Sequence, residues 1–334
     1  MQTSWVSRGS YMLSSSEKKT ADMRGAYGDA LIELGKDDSR IVCVGGDTTD
    51  SLKTKKFGDK FPERMFNVGI AEANLVSVAA GLAIAGKIAF ASTYAAFIPG
   101  RCVDQIRNTI CYPSLDVKLV VSHGGLTVGP DGASHQQIED IASMRAIPNM
   151  RVLIPSDAVQ VKHMIRAMVN TPGPFYMRLA RPSSEVIYAD NPSSFEIGKG
   201  NVVQDGTDAT IIACGLLVGR AIAAARLLRE KGISCRVVDM FSIKPIDKDL
   251  IARCARETGA IVTAEEHNII GGLGGAISEV VCETYPVPIR RVGVNDRFGE
   301  SARDEEIDSL LEQYGLTAAE IAKAVIEVRS RSRK

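Results

Sequence analysis

Three stretches of the sequence carry side chains that folding alone does not require. In Asn67-Val68-Gly69-Ile70-Ala71-Glu72-Ala73-Asn74, one carboxylate stands at the head of an apolar run that continues through Leu75, Val76, Val78 and Leu82. A carboxylate entering apolar surroundings can hold or pass a proton. Taken alone, Glu72 is better explained by the favourable position of an acid in a helix's first turn. In Ser92-Thr93-Tyr94-Ala95-Ala96-Phe97, two aromatic rings follow a strand-like apolar burst. Such rings are ordinary core material, but in a loop at a strand's carboxyl end they suit stacking on a flat heteroaromatic ring. The third stretch, His123 to Gln136, holds two of the chain's four histidines, Asp131 and the glycines 124, 125, 129 and 132. Glycine lets backbone approach a ligand closely, and imidazole supplies proton-transfer and hydrogen-bonding groups near neutral pH. Their clustering after another apolar burst points to a site.

The elements that must position these residues read as an alternating α/β pattern. Strand-length apolar bursts at 41–44, 88–91, 117–121, 152–154 and 176–179 are separated by helical stretches at 25–34, 71–85 and 157–169. Ser156 is the expected N-cap of the last of these. A second alternation has strands at 209–213, 235–238, 260–264 and 289–294 and helices at 218–230, 248–258 and 275–283. Between the two, residues 181–200 break the rhythm with Pro182, Pro192 and four serines. The expectation is two tandem α/β domains, each a mostly parallel sheet flanked by helices: 21–185 and 201–330, joined by a linker at 186–200 and preceded by a flexible extension at 1–20. The 334 residues, 45% of them hydrophobic and only 5% aromatic, suit this class, and 40 basic against 40 acidic residues give no sign of a nucleic-acid partner. The basic tail Arg329, Arg331, Arg333, Lys334 reads as a frayed, solubilising end. Seven scattered cysteines without a C-x-x-C pair indicate no metal site and favour a reducing, cytoplasmic setting. The Ser- and Lys-rich start has no continuous apolar core, so neither a signal peptide nor a membrane anchor is expected.

Taken together, Gly-Ile-Ala-Glu at 69–72, Ser-Thr-Tyr-Ala-Ala-Phe at 92–97, Asp104-Gln105-Ile106-Arg107, Gly-x-Asp-Gly-x-x-His at 129–135 and Ile154-Pro155-Ser156-Asp157 resemble the pyrimidine-binding and C-terminal domains of the transketolase family over about residues 23–329. The resemblance implies a thiamine-diphosphate enzyme of carbohydrate metabolism, the pentose phosphate pathway included, that transfers two-carbon ketol units between sugar phosphates. Glu72 falls on the glutamate that bonds N1′ of the cofactor's aminopyrimidine and favours the imino tautomer that takes up the C2 proton. Tyr94 and Phe97 match the aromatics that line that ring. Arg24, Ser51, His123 and Arg181 resemble the residues gripping the substrate phosphate. Asp131 matches the group that reads the hydroxyl beside the donor carbonyl, and His135 one near the cofactor's amino group. Arg24, Ser51 and Arg181 also have plainer readings, as a helix's first-turn arginine, a turn residue and an ordinary ion-pair partner.

The family's diphosphate and magnesium signature, a Gly-Asp-Gly triplet with a downstream asparagine, belongs to a domain preceding the segment seen here. The expectation is therefore a split enzyme: an N-terminal partner subunit supplies the Mg2+ ligands, thiamine diphosphate is shared across the interface, and the chain self-associates within a hetero-oligomer. Ala73 stands where relatives carry Gln or His, and an extra residue sits near Pro99-Gly100. The glycine-rich 271–275 run reads as tight strand-to-helix packing rather than a dinucleotide fingerprint. The alternatives are the β subunit of a 2-oxoacid dehydrogenase's decarboxylating component, a deoxyxylulose-phosphate synthase fragment and, in another class, a catalytically silent binding subunit. Glu72, Asp131 and both loop histidines weigh against the last, which has no physical need for them.

Overall fold

The computed structural model describes residues 19–189 and 195–332, so most of the expected N-terminal extension and part of the expected linker lie outside the described residues. The first domain runs β1 (Thr20–Ala21), α1 (Met23–Asp37), β2 (Ile41–Gly45), α2 (Lys55–Lys60), β3 (Met65–Asn67), α3 (Glu72–Ile84), β4 (Ile88–Ser92), α4 (Ile98–Asp104), β5 (Val117–Val121), α5 (Asp140–Ala146), β6 (Arg151–Leu153), α6 (Ala158–Val169), β7 (Phe175–Arg178) and β8 (Ser184–Glu185). The second runs β9 (Asn201–Gln204), β10 (Ala209–Ala213), α7 (Leu217–Arg229), β11 (Cys235–Asp239), β12 (Ser242–Lys244), α8 (Lys248–Thr258), β13 (Ile261–Asn268), α9 (Leu273–Glu283), β14 (Ile289–Val294), α10 (Ile307–Gln313) and α11 (Ala318–Ser332).

Strands β2, β4, β5 and β10 are buried at every position, as near-continuous apolar runs are when helices cover both faces of a parallel sheet; Lys118 within β5 is accommodated by donating to the Thr171 and Gly173 carbonyls. The larger sheet has the order β12-β6-β7-β5-β4-β2-β3, and the smaller β14-β13-β10-β11-β9. Each is parallel except at one edge, where β12 and β9 pair antiparallel. Strand β12 comes from the second half of the chain yet completes the first domain's sheet, with Ser242 opposite Leu153. Lys244 then donates to the carbonyls of Arg145 and Ile147. Residues of both sheets, Val42 and Leu119 with Ile212 and Val238, lie in one contiguous core.

Two expectations need correction. The N-cap of α6 is Asp157, whose carboxylate accepts from Gln160 N at 2.8 Å, whereas the Ser156 hydroxyl turns to Gln160 and Asp239. The carboxylate wins because its other oxygen also accepts from the backbone of Ile187 and Tyr188. The start of the expected linker packs against the fold, with Ile187 and Tyr188 buried. The C-terminal basic residues are not all a frayed end either, since Arg329 and Arg331 belong to α11 and Arg329 pairs with Asp208 at 2.9 Å.

Candidate active site

All nine expected site residues gather at the carboxyl end of the larger sheet, where β2, β4, β5 and β7 deliver successive loops. The parallel pairing of β4 with β5 continues one step beyond the strands as a bridge between Tyr94 and Ser122. That register puts the Tyr94 ring against the imidazole of His123, stacked with centroids 3.9 Å apart.

On one side of Tyr94 lies a polar cluster. Its hydroxyl donates to Ser51 Oγ at 3.0 Å, and Arg24, in the first turn of α1, donates from Nη1 to the Ser51 carbonyl at 3.2 Å. Arg24 Nε is buried and makes no hydrogen bond, its charged neighbour being Asp22 Oδ1 at 3.5 Å. His123 has φ +62°, a conformation unfavourable for a residue with a Cβ and typical of strain held by its surroundings. Its Nδ1 meets Ser122 Oγ at 2.7 Å, and its Nε2 lies 3.4 Å from Asp131 Oδ2. Arg181 approaches the same Asp131 oxygen at 4.0 Å and forms a two-pronged pair with Asp304 of the second domain. Burial first, and then the positive charges of Arg24 and Arg181, push the His123 imidazole down to about 3. The nearby Asp131 carboxylate is partly exposed and does not reverse this. The ring is thereby held neutral, able to hydrogen-bond but not to carry charge near neutral pH.

On the other side of Tyr94 the site is aromatic and carries the carboxylate. Phe97 stacks on Tyr94 at 5.7 Å, and His135 meets Phe97 edge-on at 5.3 Å and Tyr94 at 6.2 Å. Glu72 is 6% exposed, so its carboxylate is almost wholly withdrawn from water. It accepts from Arg101 Nη1 at 2.9 Å, and the same guanidinium lies 4.2 Å from the Phe97 ring centroid. A planar, nitrogen-bearing group is thus already held between Phe97 and Glu72. An aminopyrimidine is likewise planar and presents a ring nitrogen at its edge, so these residues fit the ring that the resemblance implies. Among the described residues no cluster of three or more His, Cys, Asp or Glu side chains is placed to hold a metal ion.

Three residues of this site were not singled out in the sequence. Arg101 stands four positions after Phe97, the spacing that brings side chains onto one helical face, and that offset was its available signal. Just beyond it the helix kinks at Cys102 and continues as a π-helix over Gln105–Cys111, an irregularity frequent at functional sites. Asp304 and Glu266 come from the other domain and have no local signal. The 271–275 glycines sit at the start of α9, where Glu265 accepts from Leu273 N and Gly274 N at 2.6 and 2.7 Å. A side-chain carboxylate therefore fills the place that a ligand's phosphate takes in dinucleotide sites.

Comparison with known proteins gives a consistent set of matches. The family "Transketolase, pyrimidine binding domain" matches residues 19–185, and "Transketolase, C-terminal domain" matches residues 198–321. A putative transketolase C-terminal section from Methanocaldococcus jannaschii is 47% identical over 307 residues, covering 91% of this chain and 95% of the relative. A 6-deoxy-6-sulfo-D-fructose transketolase subunit from a Clostridium species is 41% identical, covering 92% of this chain and 95% of the relative. Among solved structures, a split-gene transketolase in an inactive β4 tetramer superimposes with a TM-score of 0.86 at 49% identity, covering 92% of this chain and 98% of that one.

Proposed function

This chain belongs to the transketolase family, and from that premise we propose that it is the pyrimidine-activating subunit of a two-chain transketolase, moving a two-carbon ketol unit from a ketose phosphate to an aldose phosphate. The observation that carries this reading is the holding of a planar nitrogen group between Phe97 and Glu72, one aromatic ring away from a cluster of two arginines, His123 and Asp131. Thiamine diphosphate, when bound, supplies the nucleophilic carbon that attacks the ketose carbonyl. The residues of this chain orient it and manage its protons. Phe97 and Tyr94 line the aminopyrimidine, and Glu72 shares a proton with N1′ once Arg101 has yielded its place. Withdrawal of Glu72 from water suits that role, because solvent competes poorly for the carboxylate there.

Arg24 and Arg181 take the distal anion of the sugar, their planar forks matching phosphate oxygens, with Ser51 adding a hydroxyl. Arg181 exchanges its Asp304 partner for the substrate. His123, uncharged, hydrogen-bonds rather than pairs electrostatically. Asp131 reads the hydroxyl beside the donor carbonyl, and His135, edge-on to Phe97, serves the reacting oxygens. The diphosphate and Mg2+ ligands belong to a partner subunit with a Gly-Asp-Gly signature. The names "C-terminal section" and "subunit" among the relatives support such a partner, and the inactive β4 tetramer supports self-association of a chain that is inert alone. Seven cysteines without a disulfide suit a cytoplasmic enzyme of sugar-phosphate metabolism.

The test is reconstitution. The purified chain is mixed with a Gly-Asp-Gly chain, Mg2+ and thiamine diphosphate, and ketol transfer is followed by a coupled assay and assembly by size exclusion. Transfer is expected in the mixture alone. Transfer by the isolated chain, or none from any ketose phosphate in the mixture, contradicts the proposal. A sulfonated ketose used in parallel sets which anion the two arginines prefer.

A further inference from the structure

The second domain contributes none of the residues assigned to cofactor or substrate, yet it grips the histidine loop at several places. Glu266, buried on β13, accepts from the backbone N–H groups of Leu126 and Thr127 through a single oxygen, Oε1, at 2.6 and 2.7 Å. The loop's composition is fitted to this contact. Gly125 has φ +86°, and a Cβ there would run into the Glu266 carboxylate, while a Cβ on Gly124 would run into the Arg178 side chain. Arg178 is itself fastened between Asp140, at 2.9 Å, and the Glu266 carbonyl, at 3.2 Å.

Farther along the loop, Ser301 Oγ accepts from Ala133 N at 3.1 Å, and Gln136 donates to the Glu300 carbonyl at 2.8 Å. Asn268 N donates to the Ile138 carbonyl at 2.7 Å. The tethers fall at 126–127 and 133–138, so they bracket Asp131 and hold the segment that faces His123 Nε2. Buried backbone donors with a charged acceptor are costly to leave unpaired, so loss of Glu266 falls first on the loop rather than on the sheet.

We propose that Glu266 is a positioning residue for the reaction: through Leu126 and Thr127 the C-terminal domain sets the histidine loop and thereby the placement of His123 and Asp131 against the sugar. This rests on the function proposed above, so its test has one readout that needs no activity. In the isolated chain, Glu266→Ala should speed amide hydrogen exchange at 126–127 while 117–121 stay protected. General loss of protection, or none at 126–127, overturns the proposal whatever the enzyme transfers.

In the reconstituted enzyme, Glu266→Ala should raise KM for a ketose phosphate at least about 10-fold, the equivalent of one weakened charged hydrogen bond. Exchange of the cofactor's C2 proton, which depends on Glu72, should stay within about twofold of wild type. Glu266→Gln keeps an acceptor oxygen for both N–H groups and should restore most of the KM. Ser301→Ala, at an exposed position that leaves the core untouched, should raise KM by a smaller factor. Equal losses of C2 exchange and transfer, failure of the glutamine to rescue, or an unchanged KM in Glu266→Ala would overturn it.

Discussion

The two domains share one architecture and use its strand ends in opposite ways. In the first, the loops after β2, β4, β5 and β7 present Ser51, Tyr94, His123 and Arg181 toward a common space. In the second, the corresponding positions are closed by carboxylates of the protein itself. Glu265 caps α9, Glu266 takes two loop N–H groups, and Asp239 at the end of β11 receives Ser156, Gln160 and Tyr188. An α/β crevice is therefore not a ligand site by topology alone. It becomes one where loops from several strands converge on an open space, and where the protein's own carboxylates take up the donors across the gap the crevice becomes a joint between domains.

The strongest way to break this contrast lies on the open side. Glu72→Gln should reduce ketol transfer of the assembled enzyme by about 100- to 10,000-fold, the range for a positioned proton-transfer group. Folding and assembly should be unaffected, as followed by circular dichroism and size exclusion. Near-wild-type turnover would remove Glu72 from the chemistry.

Next in size, Arg181→Ala should raise KM for phosphorylated donors by about 10- to 150-fold, corresponding to ~1.5–3 kcal/mol for a charge-assisted bond. A short unphosphorylated ketol should be affected far less. Equal losses with both would make the Arg181–Asp304 pair a structural clasp and blur the distinction between the domains.

The closed side makes a stability prediction. Burial pushes the Asp239 carboxyl up to about 7, against the lowering pull of Tyr188, Gln160 and Ser156. Between an ordinary carboxylate value of roughly 4 and that value, the folded chain holds a proton that the unfolded chain has released. The stability this group contributes is present in full below the lower value and is lost as pH rises through the higher one. Urea titrations of wild type and Asp239→Asn should therefore differ by an amount that changes by about 1–2 kcal/mol between pH 5 and 7. A pH-independent difference would contradict the assignment. The smallest effect concerns His123: its ring resonances should not titrate between about pH 5 and 8 by NMR, because burial and the neighbouring arginines keep it neutral.

What could be read from the chain follows from how local each cause is. Strands β2, β4, β5 and β10 declared themselves because a strand covered on both faces is a mostly apolar run, broken in β5 only by Lys118 and in β10 only by Thr210. The site residues stood out because His123, Asp131 and His135 crowd one glycine-rich loop after a strand. Hidden were the features made by contact across the sequence. Nothing local in Ser242-Ile243-Lys244 says that this strand joins the other domain's sheet, and nothing in Glu266 says that it will meet Leu126 and Thr127. The cap of α6 was misplaced by one residue for the same reason, since Asp157 is fixed by Ile187 and Tyr188 from thirty residues on. Arg101 was missed because its partner, Glu72, lies on a different helix.

The central claim is that this chain activates the pyrimidine of a cofactor whose diphosphate is held elsewhere. It is tested most directly by the rate at which the C2 proton of thiamine diphosphate exchanges with deuterium, measured with the Gly-Asp-Gly chain alone, with this chain added, and with its Glu72→Gln variant added. Exchange should stay slow with the partner alone, accelerate by orders of magnitude with the wild-type chain, and fall back with the variant. Exchange as fast with the partner alone, or equally fast with Glu72→Gln, would contradict the account.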